Sequence, residues 1–554
     1  MSYPRKCVLL FCLLLMFCLP SYVSAKTYTI KSPADKLFDV LKKVKAGDKV
    51  IVHKGTYQTP GFYTVQWDGT AQQPIVIEAA AGERPIIRGQ TNQNVINING
   101  SHFTFRGFEI TNGSHGLRLY KVDHAVIEDM KIHKTASVGI SCNASTSRCD
   151  VVTLRGNEIF DTAGHGEGMY LGCNNAACVM SRSIIEGNYI HDLGGSQGDG
   201  IELKTGSWGN VVRDNVIVNA KYPAITLYGF QEAAGRTENI IERNFIYKTV
   251  DNGIQVVGQV IVRNNIIVNA GVYGIHSKAS QGFNPHSVKI LHNTIYKAKS
   301  ACLKTNNWSG QKDQLVANNA FYCAGGQALN INGGAPAAQF FNNVILGSSN
   351  YNKGTIKGQS DKADLGDPAK NVFYPPAGSK LLDAALAKYA TQDDFEGRVR
   401  GTKPDVGAYE RDGAKPNWAI KFGFKPAPQT NPQPTEQPTN EPLPEPVTEP
   451  DTQEPAPAES VKEPEPKEPV SSEKVVEPKS EPIGPSETLQ ESVEETTQLK
   501  EEKPTTDIPE RSTLSDKMER QGEGCGCQSG GTPVSIVLCV LLFVIFVPRQ
   551  KERS

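Results

Sequence analysis

One short phrase recurs along the middle of the chain: an asparagine followed two residues later by isoleucine or, once, by phenylalanine. Successive copies lie 21 to 31 residues apart. A repeat of this length indicates one small structural unit per copy, stacked so that neighbouring units bury each other's apolar faces. The repeated asparagines are Asn157, Asn188, Asn215, Asn244, Asn265, Asn293, Asn319 and Asn343.

Each copy holds two or three short runs of β-branched residues separated by Gly, Asn and Asp, which leaves no room for a helix. A leucine-rich repeat is disfavoured because its leucine pattern is absent. The sequence therefore predicts an all-β fold, a right-handed parallel β-helix. The asparagines are predicted to stack coil upon coil, each amide satisfying backbone groups inside a turn.

An entry module precedes the repeats. Strands are predicted at Tyr28–Ile30, Lys49–Val52 and Ile75–Ala79, and an amphipathic helix at about Ala34–Val44, where apolar residues recur at helical spacing. A helix laid over the first coil would shield the open end of a solenoid. We therefore expect an N-terminal capping helix.

The compositions of the two flanking segments differ from that of the repeats. Residues 1–25 combine Arg5 and Lys6 with an apolar run and a final Val-Ser-Ala, the layout of a cleaved secretory signal peptide. A membrane anchor is the alternative, but the run is short for a span. Residues 426–522 are rich in Pro, Glu, Thr and Ser, which predicts a disordered, extended linker.

The last segment, residues 524–554, has a Gly-Cys-Gly-Cys motif, an apolar transmembrane segment at 533–547 and a basic end. It resembles the C-terminal sorting tails of bacterial surface proteins, which a membrane protease cuts. The resemblance implies a protein at the bacterial cell surface or outer envelope, anchored to the membrane, with a sorting protease as partner. A plain membrane anchor is the alternative.

Secretion into an oxidising compartment favours disulfides over free thiols. Outside the signal peptide and the tail the chain has an even set of six cysteines, four of which would close short loops. A zinc site is the alternative, but no two of the six have a two-residue ligand spacing. The predicted pairs are Cys142 with Cys149, Cys173 with Cys178, and Cys302 with Cys323.

The opening phrase from Ala46 to Tyr57, the Asn-x-Ile coils and the closing phrase from Asp394 to Glu410 together carry a family resemblance. Through them residues 26–411 resemble the secreted right-handed β-helix proteins of the pectate-lyase-like superfamily. The resemblance implies the fold. Folds of this kind host unrelated chemistries, so the activity must be inferred from the site.

A second phrase in each coil, a small residue followed by alternating apolar and polar residues, locates a candidate ligand surface. Because side chains alternate across a strand, its polar members form two outer columns with a step of about 4.8 Å per coil. One column is Arg118, Ser141, Tyr170, Glu202, Thr226, Gln255 and His276; the other is Tyr120, Asn143, Gly172, Lys204, Tyr228, Val257 and Lys278.

This mixture of Tyr, Lys, Arg, His and Glu suits a long, hydroxylated, anionic chain, which predicts an anionic polysaccharide as the partner. The net charge of -1 gives no reason to expect nucleic acid. The residues predicted to bind the substrate are Arg118, Tyr120, Tyr170, His276 and Lys278.

Glu202 and Lys204 lie in the middle of the columns, and Glu167 and Asp199 lie in the turns before adjacent strands. In polysaccharide lyases of the resembled superfamily, a base, often Lys or Arg, removes the proton next to a uronate carboxylate, while a cation, usually calcium, offsets the charge on that carboxylate. Calcium takes oxygen ligands, which Glu167, Asp199 and Glu202 can supply, and it would stabilise enolate-like charge. A lysine base needs a lowered pKa, which a nearby cation favours.

The phrase from Glu202 to Ser207, followed by Asn210 and Arg213, is similar to the stretch that carries the catalytic lysine in calcium-dependent alginate and chondroitin lyases. The resemblance implies lyase-type β-elimination, with Lys204 as the base and Glu202 as a metal ligand. Arg213 precedes a repeated asparagine, as other arginines do, and is predicted to be structural.

Those lyases place an arginine one coil further on as the proton donor, and residues Asn219–Phe230 contain none. Tyr228, beside Lys204, is predicted to replace it. Non-catalytic carbohydrate binding or adhesion through the same columns remains an alternative, as does a solvated, merely structural ion pair at the centre. Hydrolysis by several converging aspartates is disfavoured because Asp199 and Asp251 are too few.

Overall fold

The short β-branched runs form the strands of a parallel β-helix. The computed structural model describes residues 24–333, 339–413 and 416–427, all within one compact unit. In these residues a typical strand pairs in parallel with strands of the coils before and after it, as Ile201–Leu203 does. The predicted strands Lys49–Val52 and Ile75–Ala79 have the predicted bounds, and the first strand is Thr27–Ile30.

Three parallel sheets run along the solenoid, and several long strands bend from one sheet into the next. The first sheet comprises Thr64–Asp68, Ile96–Arg106, Leu117–Glu128, Ile140–Cys142, Met169–Leu171, Ile201–Leu203, Ile225–Leu227, Ile254–Val256, Tyr273–Ser277, Ala301–Thr305 and part of Ala320–Ile331. The second comprises Thr27–Ile30, Lys49–Val52, Ile75–Ala79, the ends of two strands of the first sheet, Arg148–Arg155, Val179–Ser181, Ile184–Glu186, Val211–Arg213, Asn239–Glu242, Val260–Arg263, Val288–Leu291, Leu315–Ala317 and Phe340–Phe341. The third comprises Thr56–Gln58, Ile86–Arg88, Glu109–Thr111, Lys131–Thr135, Glu158–Thr162, Tyr189–His191, Val216–Val218, Phe245–Tyr247, Ile266–Val268, Thr294–Tyr296, the start of Ala320–Ile331, Asn343–Ser349 and Thr355–Lys357.

The repeated asparagines form a continuous buried ladder, as predicted, at the turn between the second and third sheets. The side-chain amide of Asn215 donates to Asn244 Oδ1 at 2.9 Å and to the carbonyl of Ile185 at 2.9 Å. Its own Oδ1 accepts from the backbone and side-chain amides of Asn188. The same side-chain bond links all eight asparagines from Asn157 to Asn343, so each coil of this stretch is held in register with the next.

A second ladder, of alternating charge, lies at the outer end of the second sheet. The guanidinium of Arg213 donates to Glu186 at 2.8 Å, and Arg263 donates to Glu242 at 2.7 Å. Arg213 therefore has the structural role that the sequence predicts. The column runs Glu78, Arg106, Glu128, Arg155, Glu186, Arg213, Glu242 and Arg263.

All three predicted disulfides are present. Cys142 pairs with Cys149 and Cys173 with Cys178, each closing a short loop beside the first sheet. Cys302 pairs with Cys323 across a sequence separation of 21 residues. The zinc alternative for these cysteines is therefore wrong.

The helix of the entry module is shorter than predicted. An α-helix spans only Leu37–Leu41, after a 3-10 turn at Pro33–Asp35, because Lys36 between them has a left-handed backbone with a φ of 54°. Leu37 and Leu41 are buried in the core, and the indole of Trp67 donates to the carbonyl of Leu41. That this helix shields the end of the solenoid stays a prediction.

The segment after the last coils packs on the outside of the third sheet. It contains an α-helix at Asp361–Leu365 and 3-10 turns at Pro368–Lys370 and Ala387–Tyr389. Its buried residues, including Phe395 and Trp418, form a second apolar cluster with the sheet. The buried Lys425 donates to Asp214 at 2.8 Å. The domain therefore extends past residue 411, and the predicted boundary is too early.

Most of residues 1–25, nearly all of the linker 426–522 and the whole tail 524–554, including 533–547, lie outside the described residues. The corresponding predictions of a signal peptide, a linker and a transmembrane segment therefore stay predictions. Within the described ranges, none of the helices has the length and apolarity needed to cross a membrane.

Candidate active site

The two outer columns of the first sheet form in the register that the sequence predicts. Glu202 pairs with Tyr170 of the preceding coil and with Thr226 of the next. The first column runs through Arg118, Ser141, Tyr170, Glu202, Thr226, Gln255 and His276, and the structure extends it to Lys304 and Asn330.

A cleft with a volume of about 380 Å³ opens over the centre of these columns. Asn174 lines it from the loop closed by the disulfide of Cys173. Ser280 and Gln281 line it from a tight hairpin in which Ser280 pairs with Phe283. The cleft is therefore built by loops that rise from the sheet.

The centre of the sheet is not exposed, and this part of the sequence prediction is wrong. Glu202 is 3% exposed and Lys204 4%, while Ser141 and Thr226 are also buried. The side chains of the central columns point away from the solenoid interior. They are nevertheless shielded from bulk water, because the surrounding loops cover them. The predicted alternative of a solvated ion pair is wrong for the same reason.

Glu202 and Lys204 form a buried ion pair on the cleft floor. The ammonium of Lys204 donates to Glu202 Oε1, and the hydroxyl of Tyr228 donates to the same oxygen at 3.4 Å. The ammonium also lies 4.5 Å from the ring centre of Tyr170 and 5.0 Å from that of Tyr228. Two cation–π contacts therefore add to the electrostatic attraction that holds this lysine charged.

Two more carboxyl groups are buried beside this pair. Asp199 Oδ1 accepts a hydrogen bond from the hydroxyl of Thr226 at 2.6 Å. Glu167 is fully buried, and within the described residues neither of its carboxyl oxygens has a hydrogen-bond partner; Glu202 Oε2 has none either. Unpartnered buried carboxyl oxygens are costly, so this cluster is built for something other than stability.

Burial dominates the acid–base behaviour of the three carboxyl groups. It raises the pKa of Asp199 well above the usual value, and the carboxylate of Glu202 raises it further. Burial also raises the pKa of Glu202 against the opposing effect of Lys204, and raises that of Glu167. Proton binding or a cation would therefore relieve the crowding of negative charge.

The pKa of Lys204 shifts in the direction opposite to that expected of a base. Burial lowers this pKa, but the carboxylate of Glu202 and the hydroxyl of Tyr170 together outweigh burial, and the net shift is upward. Burial and the neighbouring carboxylates raise the pKa of Tyr228, so its phenol keeps its proton. In the ligand-free protein the lysine is thus an ammonium and the tyrosine a hydrogen-bond donor.

The donor chemistry of the cluster fits calcium, which prefers oxygen ligands. Glu167, Asp199 and Glu202 offer only oxygens, three of which are buried and unpartnered within the described chain. Among the described residues, these three carboxylates do not place one ligand atom each within 4.8 Å of the others, whereas a group elsewhere in the chain does. Calcium as a cofactor stays a prediction.

The structure gathers some of the predicted substrate-binding residues and separates others. Tyr170 and Lys278 line the cleft together with the central pair. Arg118 lies three coils away from Glu202, with its guanidinium over the ring of Tyr120 at 5.6 Å. His276 is turned toward Asn306, with 3.0 Å between His276 Nε2 and Asn306 Oδ1. These last residues lie along the columns but outside the cleft lining.

Several cleft residues were not selected from the sequence. Gln255 and Thr226 belong to the predicted column that contains Glu202. Membership of that column is the one sequence signal that could have identified them as site residues. Gln197, Asn174 and Gln281 come from loops. Loop residues carry no periodic signal, because loop conformation depends on tertiary contacts.

Comparisons with known proteins agree with this fold. A family model described as the Pel9A-like right-handed β-helix region matches residues 16–220, and one described as a right-handed β-helix region matches residues 180–321. Pectate lyase L of Thermoclostridium stercorarium is 22% identical over 295 residues, which cover 50% of this chain and 22% of that protein. The chain thus spans about a fifth of the length of this relative.

The solved structures with some likeness to this chain include an alginate lyase from Paenibacillus sp. FPU-7 and the pectate lyase Pel9A. The first is 17% identical with a TM-score of 0.39, covering 55% of this chain and 99% of that one. The second is 17% identical with a TM-score of 0.39, covering 71% of this chain and 98% of that one. The family matches support a right-handed solenoid, and they support a relationship to the pectate-lyase-like superfamily of β-helix proteins.

Proposed function

We propose that the protein cleaves an anionic, uronate-containing polysaccharide by lyase-type β-elimination in this cleft. The observation that carries the proposal is the buried ion pair of Glu202 and Lys204 on the cleft floor, with two further buried carboxyl groups beside it. Distant relatives named as pectate and alginate lyases support a lyase-like function at low identity.

The shape of the cleft suits a polymer laid across the strands. Successive coils advance by about 4.8 Å, so a chain along the columns meets a new pair of side chains at each step. Tyr222, which is partly exposed, offers an apolar ring at the edge, and Lys278 offers a cation for a sugar carboxylate. Both are contacts that an anionic polysaccharide can use.

β-Elimination takes the proton from the carbon next to the uronate carboxylate and expels the glycosidic oxygen, leaving a carbon–carbon double bond. In our proposal Lys204 is the base and Tyr228, which keeps its proton, donates to the departing oxygen. Glu202 is the group that holds Lys204 charged. A cation held by Glu202 would offset that carboxylate, and burial would then lower the pKa of Lys204 toward that of a base.

Calcium is proposed to be held by Glu167, Asp199 and Glu202. When bound, it supplies positive charge to the substrate carboxylate and to the enolate-like charge of the transition state. The unpartnered oxygens of Glu167 and Glu202 support this assignment.

The test is an assay of the full chain with alginate, pectate and glycosaminoglycans, with calcium and with chelator, following the ultraviolet absorbance of the unsaturated product. Replacing Lys204 with alanine should lower the rate by about 10²- to 10⁴-fold, the usual worth of a general base. Lys289→Ala is the matched control, because this lysine pairs with Glu238 on another sheet. Absence of product on every uronate polymer would refute the lyase.

A second candidate function is non-catalytic binding of the same polymer. The upward shift of the pKa of Lys204 favours it, since a permanent ammonium binds carboxylates without removing protons. Retention on a uronate polymer without any product would establish this alternative.

We also propose that the protein is secreted and held at the bacterial surface by its C-terminal tail, which a sorting protease processes at the membrane. Three disulfides in the described residues support an oxidising compartment. Protease treatment of intact cells should release the β-helix domain into the medium. Recovery of the whole protein from the cytoplasm would contradict this location.

A further inference from the structure

A group of metal-ligand side chains lies outside the cleft, where the first sheet turns into the second. His102 lies in the long strand Ile96–Arg106, and Asp123 and His124 lie in the next, Leu117–Glu128. The strands pair so that Ser101 is opposite Asp123 and Phe103 opposite Ala125, which places the two histidines at equivalent positions of consecutive coils.

Both histidines occupy the same sharp corner. Their φ angles are 49° and 46°, in the left-handed region that few residues other than glycine adopt. The rings are stacked, with centroids 4.7 Å apart and planes within 1° of parallel. Repetition of the corner from coil to coil therefore brings two imidazoles together that are far apart in sequence.

Asp123 completes the group. Its Oδ1 lies 3.1 Å from His124 Nδ1, and one ligand atom from each of the three residues lies within 4.8 Å of the other two. His102 Nδ1 is buried, and among the described residues it has no hydrogen-bond partner. An imidazole nitrogen in that state is available for a ligand.

We infer that His102, Asp123 and His124 form a binding site for a divalent transition metal such as zinc. Two imidazole nitrogens and one carboxylate oxygen are a donor set that zinc accepts, with a water molecule as fourth ligand. Calcium is disfavoured here because it requires six to eight oxygen ligands. The site is thus chemically distinct from the all-oxygen cluster of the cleft.

Two parallel rings cannot point their lone pairs at one ion, so binding requires one ring to turn. His124 is able to do so, because its side chain is 50% exposed. The site does not continue along the solenoid: the preceding corner has Gly69 opposite His102, and the following one has Val151. A metal held here would join only these two coils.

The test is calorimetric titration of the metal-free full chain with zinc chloride and, separately, calcium chloride. The Cys525→Ser/Cys527→Ser background is used, because cysteine thiolates are zinc ligands in their own right and would add to the signal. The parent should bind one more zinc ion than a His102→Asn/His124→Asn variant, and Asp123→Asn should weaken that site at least tenfold. His286→Asn, which removes another surface histidine, should leave the titration unchanged.

Zinc should also raise the melting temperature of the parent and not that of the double variant. Matching melting temperatures without metal would show that the substitutions leave the fold intact. Identical zinc titrations for the parent and the folded double variant would overturn the inference. The result is independent of polysaccharide cleavage, since the cleft residues are unchanged.

Discussion

Replacing Lys204 with methionine should destabilise the protein in a strongly pH-dependent way. Methionine fills a similar volume but leaves Glu202, Asp199 and Glu167 buried without their cation. Removing one partner of a buried ion pair costs about 3 to 5 kcal/mol. The full cost applies only while the carboxyl groups are ionised.

The sign follows from the shifts of the carboxyl groups. Their pKa values in the folded protein lie above the ordinary values of 3.8 for Asp199 and 4.5 for Glu202 and Glu167, and loss of Lys204 raises them further. The folded state then holds more protons than the unfolded state, so stability falls as the pH rises through the folded pKa values. One such group changes the free energy of unfolding by about 1.4 kcal/mol per pH unit.

A carboxyl group that is protonated in the folded variant and ionised in the folded parent over the whole interval from about pH 5 to about pH 8 accounts for about 4 kcal/mol, which is most of the deficit. The assay is urea unfolding at both pH values, followed by tryptophan fluorescence. The free energy of unfolding of Lys204→Met should lie about 4 kcal/mol below that of the parent at the higher pH, and about 1 kcal/mol or less below it at the lower pH.

Lys304→Met is the matched control. Lys304 is a buried lysine of the first column, further along the same sheet, and in the described structure it bonds to Asn330 rather than to a carboxylate. Its loss should cost about 1 kcal/mol at both pH values. The double variant Glu202→Gln/Lys204→Met should recover part of the loss. A deficit for Lys204→Met that is constant with pH, or larger in acid, would refute the reasoning.

Three further predictions concern the scaffold. Asn215→Ala removes four buried hydrogen bonds and should lower the free energy of unfolding, measured by urea titration, by about 3 to 5 kcal/mol. Arg213→Ala is the control: this arginine lies in the half-exposed charge ladder, and its loss should lower the free energy of unfolding by about 1 kcal/mol or less. Burial lowers the pKa of His115 to about 4, so as the pH falls this histidine is protonated in the unfolded chain before it is protonated in the folded protein. The melting temperature should therefore fall from about pH 6.5 toward pH 4, and His115→Gln should reduce that fall. Replacing Cys302 and Cys323 together by alanine should cost about 3 kcal/mol, because this disulfide closes a loop of intermediate length, and an unchanged urea midpoint would contradict it.

The repeat made much of the fold predictable. Because each coil stacks on the next, aligning the phrases around Asn215 and Glu202 gave the neighbours in space directly, and the ladder and both columns have that register. Two of the three disulfide pairs followed from short loops, and the third was the pair of cysteines that remained. Predictions failed where no repeat operates: the helix begins only at Leu37, because the left-handed backbone of Lys36 precedes it, and the C-terminal segment continues to Lys425, which binds Asp214.

The amino-acid sequence by itself determined which side chains share a column, since a parallel solenoid converts sequence period into spatial order. Only the tertiary structure decided the environment of those side chains. Loops from separate coils enclose Glu202 and Lys204, and their burial sets the charge state of the lysine. The stacked histidines at 102 and 124 became neighbours for a related reason, since a corner has no sequence signal until the coils are in register. Burial and proximity across coils depend on the whole fold, whereas periodicity is local.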